Sequence, residues 1–141
     1  MLDLANLDTT KLSEDGATLE VRHPSTGAIL SNGDGRAVTI VLAGMDSNRA
    51  RKSERQATNR RLKASGRGRG LGLTGDDLDN DALDLLAACT LAWSGFDLEG
   101  QPLECNPDNA RKLYRQFPWL REQAQQFVED RSNFLRVSPT N

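Results

Sequence analysis

The charge in this chain is sorted into blocks, and that sorting restricts where a core can form. Residues 49–69 hold nine Lys or Arg against one acid, Glu54, whereas residues 76–84 hold five Asp and no base. Five glycines, at 66, 68, 70, 72 and 75, lie between the two. Such blocks govern solubility and partner steering more than fold, and unpaired charge is costly to bury. The apolar patterning therefore has to be sought on either side. It is thin: 37% of the 141 residues are hydrophobic, against roughly 45–50% (glycine included) in an ordinary domain. Only one modest core is expected, marked by the few aromatics near the C-terminus.

Residues 1–16 carry acids and no apolar block, so no export signal is visible and a flexible leader with at most one helical turn is expected. From residue 17 the period becomes two. Leu19, Val21 and His23 face one way and Thr18, Glu20 and Arg22 the other, as a half-buried strand requires. Turn signals at 24–27 and 31–35 bracket the short run Ala28, Ile29, Leu30, and Val38, Ile40 and Leu42 alternate again. A lone hairpin is marginal in water, so its apolar face must rest on helices or a partner.

Asp46 is placed to cap a basic helix over 47–64, whose apolar residues are Ala50, Ala57, Leu62 and Ala64. A helix polar all round is solvated, bridging, or ordered on contact. The Gly/Arg-rich stretch 65–75 predicts a flexible joint. Thr74 and Asp77 then have capping-box spacing, and Leu78, Ala82, Leu85, Leu86, Cys89 and Trp93 form one helical stripe that stops at Ser94 and Gly95. After a linker over 96–105, Asn106 and Pro107 begin a helix with Ala110, Leu113, Tyr114 and Phe117 on one face. Pro118 ends it and starts the next, whose stripe is Leu120, Ala124, Phe127, Val128 and Leu135, before a frayed tail at 137–141. The predicted fold is α+β: an N-terminal β-hairpin or small meander packed on a bundle of three to four α-helices, one domain over 17–141.

Catalysis finds no foothold in this pattern. Residues 70–75 match GxGxxG, but a basic helical run precedes them instead of a strand, and the aspartates that follow would repel a pyrophosphate. The Lys-Ser/Thr of a P-loop is missing. His23, the one histidine, reads as a packed or capping residue, and no metal-ligand spacing, GxSxG or EF-hand pattern occurs. Cys89 and Cys105 read as buried thiols of a reducing compartment. No apolar run approaches the ~20 residues of a membrane helix. The expectation is a cytoplasmic non-enzyme without cofactor, metal or membrane span.

Contact with another macromolecule remains. Trp93, Phe96, Tyr114, Phe117, Trp119 and Phe134 are read first as core, and any left exposed are candidate interface anchors. Arg49, Arg51, Lys52, Arg55, Arg60 and Arg61 are candidate electrostatic contacts. A nucleic-acid-binding module using 49–69 is the alternative. Against it, the block holds no aromatic to stack on bases, and the acidic helix could neutralise it internally. The helices around Pro118 do not suit a helix-turn-helix, because one proline joins them and the second carries Glu122, Glu129 and Asp130.

The runs CTLAWSGF (89–96), GQPL (100–103), NPDNA (106–110), FPWLR (117–121) and NFL (133–135), together with HPSTG (23–27), resemble small tail-morphogenesis proteins of long-tailed bacteriophages, most nearly the tail assembly chaperones. The likeness covers residues 17–43 and 76–135, leaves the Arg/Gly-rich middle uncovered, and includes no catalytic signature. It implies a non-catalytic protein that coats the tape measure protein and recruits tail tube subunits in the host cytoplasm. It further implies a homo-oligomer, absent from the mature virion, with a frameshifted longer form of itself as a further partner. A structural tail component retained in the virion is the neighbouring possibility. The resemblance transfers no binding residue.

Overall fold

A computed structural model describes residues 2–66 and 75–135. The fold is α+β, with the sheet backed by helices as the patterning predicts. Its strands are β1 (Ala17–Glu20), β2 (Thr39–Leu42) and β3 (Thr90–Ser94), in spatial order β1-β2-β3 and antiparallel throughout. The helices are α1 (Thr10–Asp15), α2 (Asn48–Gly66), α3 (Gly75–Cys89), α4 (Pro107–Gln116) and α5 (Pro118–Glu129). Short 3-10 turns occupy Leu4–Leu7 and Arg131–Phe134.

The alternation at 17–21 and 38–42 holds: Val21, Val38, Ile40 and Leu42 are buried, while Thr18, Glu20 and Arg22 are exposed and Ala37, Thr39 and Val41 half-buried. The excursion between β1 and β2 folds back on itself through backbone bonds among Val21, Leu30 and Val38, each 2.8–2.9 Å. His23 caps the first turn, its Nδ1 accepting from the Ser25 and Thr26 amides at 3.0 and 3.2 Å.

The third strand is a correction. The stripe expected to run as helix to Trp93 stops at Cys89, and Thr90, Ala92, Trp93 and Ser94 pair with β2 instead, Trp93 opposite Ile40. Two causes act together. Thr90 Oγ1 donates to the Leu86 carbonyl at 2.8 Å and satisfies one orphan acceptor of the helix end. The far edge of β2 meanwhile needs a partner for its amides and carbonyls, and β-branched and aromatic residues suit that edge.

Three further expectations change. The leader is not loose over α1: Ser13 is buried, and its carbonyl accepts from the Gly44 amide at 3.0 Å. Ser47, not Asp46, caps α2, its Oγ accepting from the Ala50 amide at 3.2 Å while donating to the Gly44 carbonyl at 2.6 Å. The linker over 96–105 contains a small hairpin, β4 (Asp97–Leu98) and β5 (Gln101–Pro102), turned by Glu99 and Gly100 at φ 52° and 79°, the two positive values of a tight hairpin turn. The caps at Asn106 and the break at Pro118 fall where expected. Most of the glycine joint, the GxGxxG run short of its last glycine, Thr74 and the tail at 137–141 lie outside the described residues.

The core joins the buried sheet face to Leu83, Leu86, Ala87 and Cys89 of α3, Ala110, Leu113 and Tyr114 of α4, and Leu120, Ala124 and Val128 of α5. Tyr114 ties the layers. Because Thr90 spends its hydrogen on Leu86, the phenol donates to Thr90 Oγ1 at 2.8 Å.

Candidate partner-binding surface

The surface of interest is built on α3, which carries more apolar side chains than one face can bury. Leu83, Leu86, Ala87 and Thr90 follow the i, i+3, i+4, i+7 spacing and point into the core. The expected stripe is thus rotated: Leu78 is 50% exposed, and Ala82 and Leu85 are only half-buried. On one side this shoulder forms a groove with Ala57, Thr58 and Arg61 of α2. Beyond Leu85 it continues past Met45 to Gln125 and Val128 of α5. The two grooves share Ala82 and Leu85, so half-exposed apolar side chains run from Leu78 to Met45 between polar residues of α2 and α5.

Along the same flank α3 meets the basic helix. Among the described residues of α2 only Ala50 and Ala57 are buried, so small side chains let the two helices approach and charge fills the seam. Arg61 reaches Asp81 at 2.6 Å, and Arg60 reaches Asp81 at 3.0 Å and Asp84 at 3.8 Å. Burial pushes the Asp81 carboxyl up, but the hydrogen bonds from Arg61 and Arg60 outweigh it and hold the group below its ordinary value. The acidic helix does neutralise part of the basic block.

The candidate anchors do not share one surface. Tyr114 (0% exposed) and Phe134 (1%) belong to the interior and are unavailable to a partner in this conformation. Trp93 packs edge-on against Phe96 with ring centres 5.6 Å apart, and its indole N–H donates to the Leu103 carbonyl at 2.8 Å. Phe117 and Trp119 form a second edge-on pair, at 6.2 Å, in the α4–α5 elbow. All four are half-buried. Of the candidate cations, Arg51 donates to the Asp46 carbonyl at 2.9 Å, while Arg49, Lys52 and Arg55 form no ion pair among the described residues. Patterning assigned the α3 shoulder to the core, so the strip went unseen; an excess of leucine over one face's capacity was the available signal.

Reactive chemistry is sparse at these positions. Cys89 is buried and its thiol is pushed up to about 12 by burial, which leaves too little thiolate for nucleophilic attack; burial also raises the half-buried Cys105. Among the described residues no three His, Cys, Asp or Glu side chains converge to hold a metal ion. No described helix is long and apolar enough to cross a membrane. In comparisons with known proteins, no family model, curated protein or solved structure matches this chain.

Proposed function

We propose that this chain is a non-catalytic binding protein that shields a helical segment of another polypeptide along the α3 strip, and that it serves as a tail assembly chaperone. The observation that carries the binding role is the continuous half-exposed line Leu78, Ala82, Leu85 and Met45, flanked by polar rims on α2 and α5. An amphipathic helix laid in such a groove buries its apolar face and leaves its charged face in water. The sequence resemblance supplies the partner: the tape measure protein, a long helical polymer that would aggregate bare, with tail tube subunits recruited to the complex. On that reading the protein acts in the host cytoplasm and leaves before the particle is finished. The nucleic-acid alternative is weakened, because Arg60 and Arg61 are engaged by Asp81.

Co-expression with the tape measure protein tests this directly. The expected outcome is a soluble complex that Leu78→Asp abolishes while leaving the circular dichroism spectrum unchanged, since Leu78 is half in solvent already. A tape measure protein that pellets despite co-expression removes the proposal. Recovery of the chain from purified virions by mass spectrometry would favour a retained tail component.

A further inference from the structure

We infer that a second groove, on the opposite side of the α2–α3 seam, docks a carboxylate-rich segment of a partner polypeptide. It has a volume of about 570 Å³, and Arg49, Lys52, Gln56 and Arg60 of α2, Asp84 of α3 and Arg111 of α4 line it. The α2 residues recur at i, i+3, i+7 and i+11, so they form one face of that helix. Four cations and one acid line the groove, with Arg60 also held by Asp81 at 3.0 Å and Arg111 by Asp108. Asp84 sits between Arg60 at 3.8 Å and Arg111 at 3.7 Å, while Arg49 and Lys52 form no ion pair among the described residues. Both are exposed, so the fold does not need them. Pro107 also lines the groove and brings the positive end of the α4 dipole to its rim. Like charges held this close repel, and an anionic guest relieves the repulsion.

The lining selects the class of guest. It contains no aromatic ring on which a base could stack, as single-stranded nucleic acid requires. Asp84 can accept from a peptide N–H, a donor that a phosphodiester backbone lacks, and Gln56 and Ser53 offer both donor and acceptor to a peptide backbone. Arg49 to Arg60 span about 16 Å at 1.5 Å per residue, the length of a short peptide segment and not of a long polyanion track. The inference does not depend on the α3 strip, which faces the other way, nor on the identity of the partner.

Fluorescence anisotropy with a fluorescein-labelled peptide of repeating Glu-Ala, at low salt, tests it on the full chain. The expected result is saturable binding that the double reversal Arg49→Glu/Lys52→Glu weakens roughly tenfold. Lys11→Glu/Arg36→Glu changes net charge equally away from the groove and should leave binding within about twofold of the starting chain. If the double reversal disturbs the melting curve, Arg49→Gln/Lys52→Gln replaces it with the same expected direction. Three results overturn the inference: no binding of the Glu-Ala peptide, equal loss in the Lys11/Arg36 control, or tighter binding of a single-stranded DNA oligonucleotide that depends on Arg49 and Lys52.

Discussion

Tyr114 and Arg61 each lay a long side chain against α3, one from α4 and the other from α2, and they meet different surroundings. The phenol is fully buried, its hydroxyl donates to Thr90, and burial moves its pKa upward. The Arg61 side chain is 39% exposed; it holds Asp81, yet its Nε is buried with no partner among the described residues. The body formed by the sheet, α3, α4 and α5 is thus held by area removed from water. The outer α2 seam rests on two buried alanines and exposed ion pairs. Two alanine methyls contribute under about 2 kcal/mol, and exposed ion pairs contribute about 1 kcal/mol or less each. It follows that α2 is the element free to yield to a partner, whereas the body sets the overall stability.

The largest expected effect breaks the body. Ile40 is fully buried, lies opposite Trp93 and belongs to β2, the central strand of the sheet. Ile40→Ala should cost about 3 kcal/mol in urea unfolding, through lost transfer energy and an unfilled cavity. A cost near that of a surface substitution would mean that the sheet is not the centre of the core. Next is Gly44, where an added Cβ would lie 2.5 Å from Ser13 Oγ and 3.0 Å from the Phe134 ring. Both neighbours are buried, so Gly44→Ala should cost about 2 kcal/mol by overpacking, measured by the same urea unfolding.

Acid sharpens the comparison from the edge of the body. Asp46 accepts both Nε and Nη2 of Arg131, at 2.9 and 3.0 Å, and also the Thr9 hydroxyl, joining the leader to the chain after α5. The Arg131 hydrogen bonds, then that of Thr9, hold its carboxyl down at about 2. A depressed folded-state value stabilises above the unfolded value of 3.8 and is lost as pH falls from there toward about 2. With Arg131 largely in solvent, that loss is about 1 kcal/mol. Unfolding midpoints at pH 5 and pH 2.5 should therefore differ less for Asp46→Asn than for the unaltered chain.

The sequence showed β1, β2, α4 and α5 plainly, because each carries one unambiguous period and a local start or stop signal. It misplaced the end of α3 because residues 86–93 fit a helical stripe and an alternating strand equally well. The free edge of β2, some fifty residues earlier in the chain, decides between them. The rotation of α3 has the same origin: Leu78, Ala82, Leu83, Leu85, Leu86 and Ala87 cover too wide an arc, and contact with α4 and the sheet selects which are buried. The docking of α1 had little apolar signal, since polar contacts hold it: the Ser13 carbonyl, the Thr9 hydroxyl on Asp46, and the amide of Asn48 donating to Glu14. Arg111 joined the basic groove only through tertiary packing.

The smallest expected effect isolates the outer seam. Asp81→Asn removes the carboxylate that Arg60 and Arg61 share, and its side chain is 18% exposed against 55% and 39% for the two guanidiniums. Solvent on the cationic side limits the global cost to about 1 kcal/mol or less. The local consequence should be larger, because α2 has little else to hold it. Hydrogen exchange of the α2 amides should accelerate in Asp81→Asn while the β2 and α4 amides keep their protection, since local opening need not involve the body. Raising salt should reproduce part of that pattern in the unaltered chain, through screening of the same pairs. Equal acceleration in β2 would show that the seam and the core open as one unit, and the distinction between the two regions would fail.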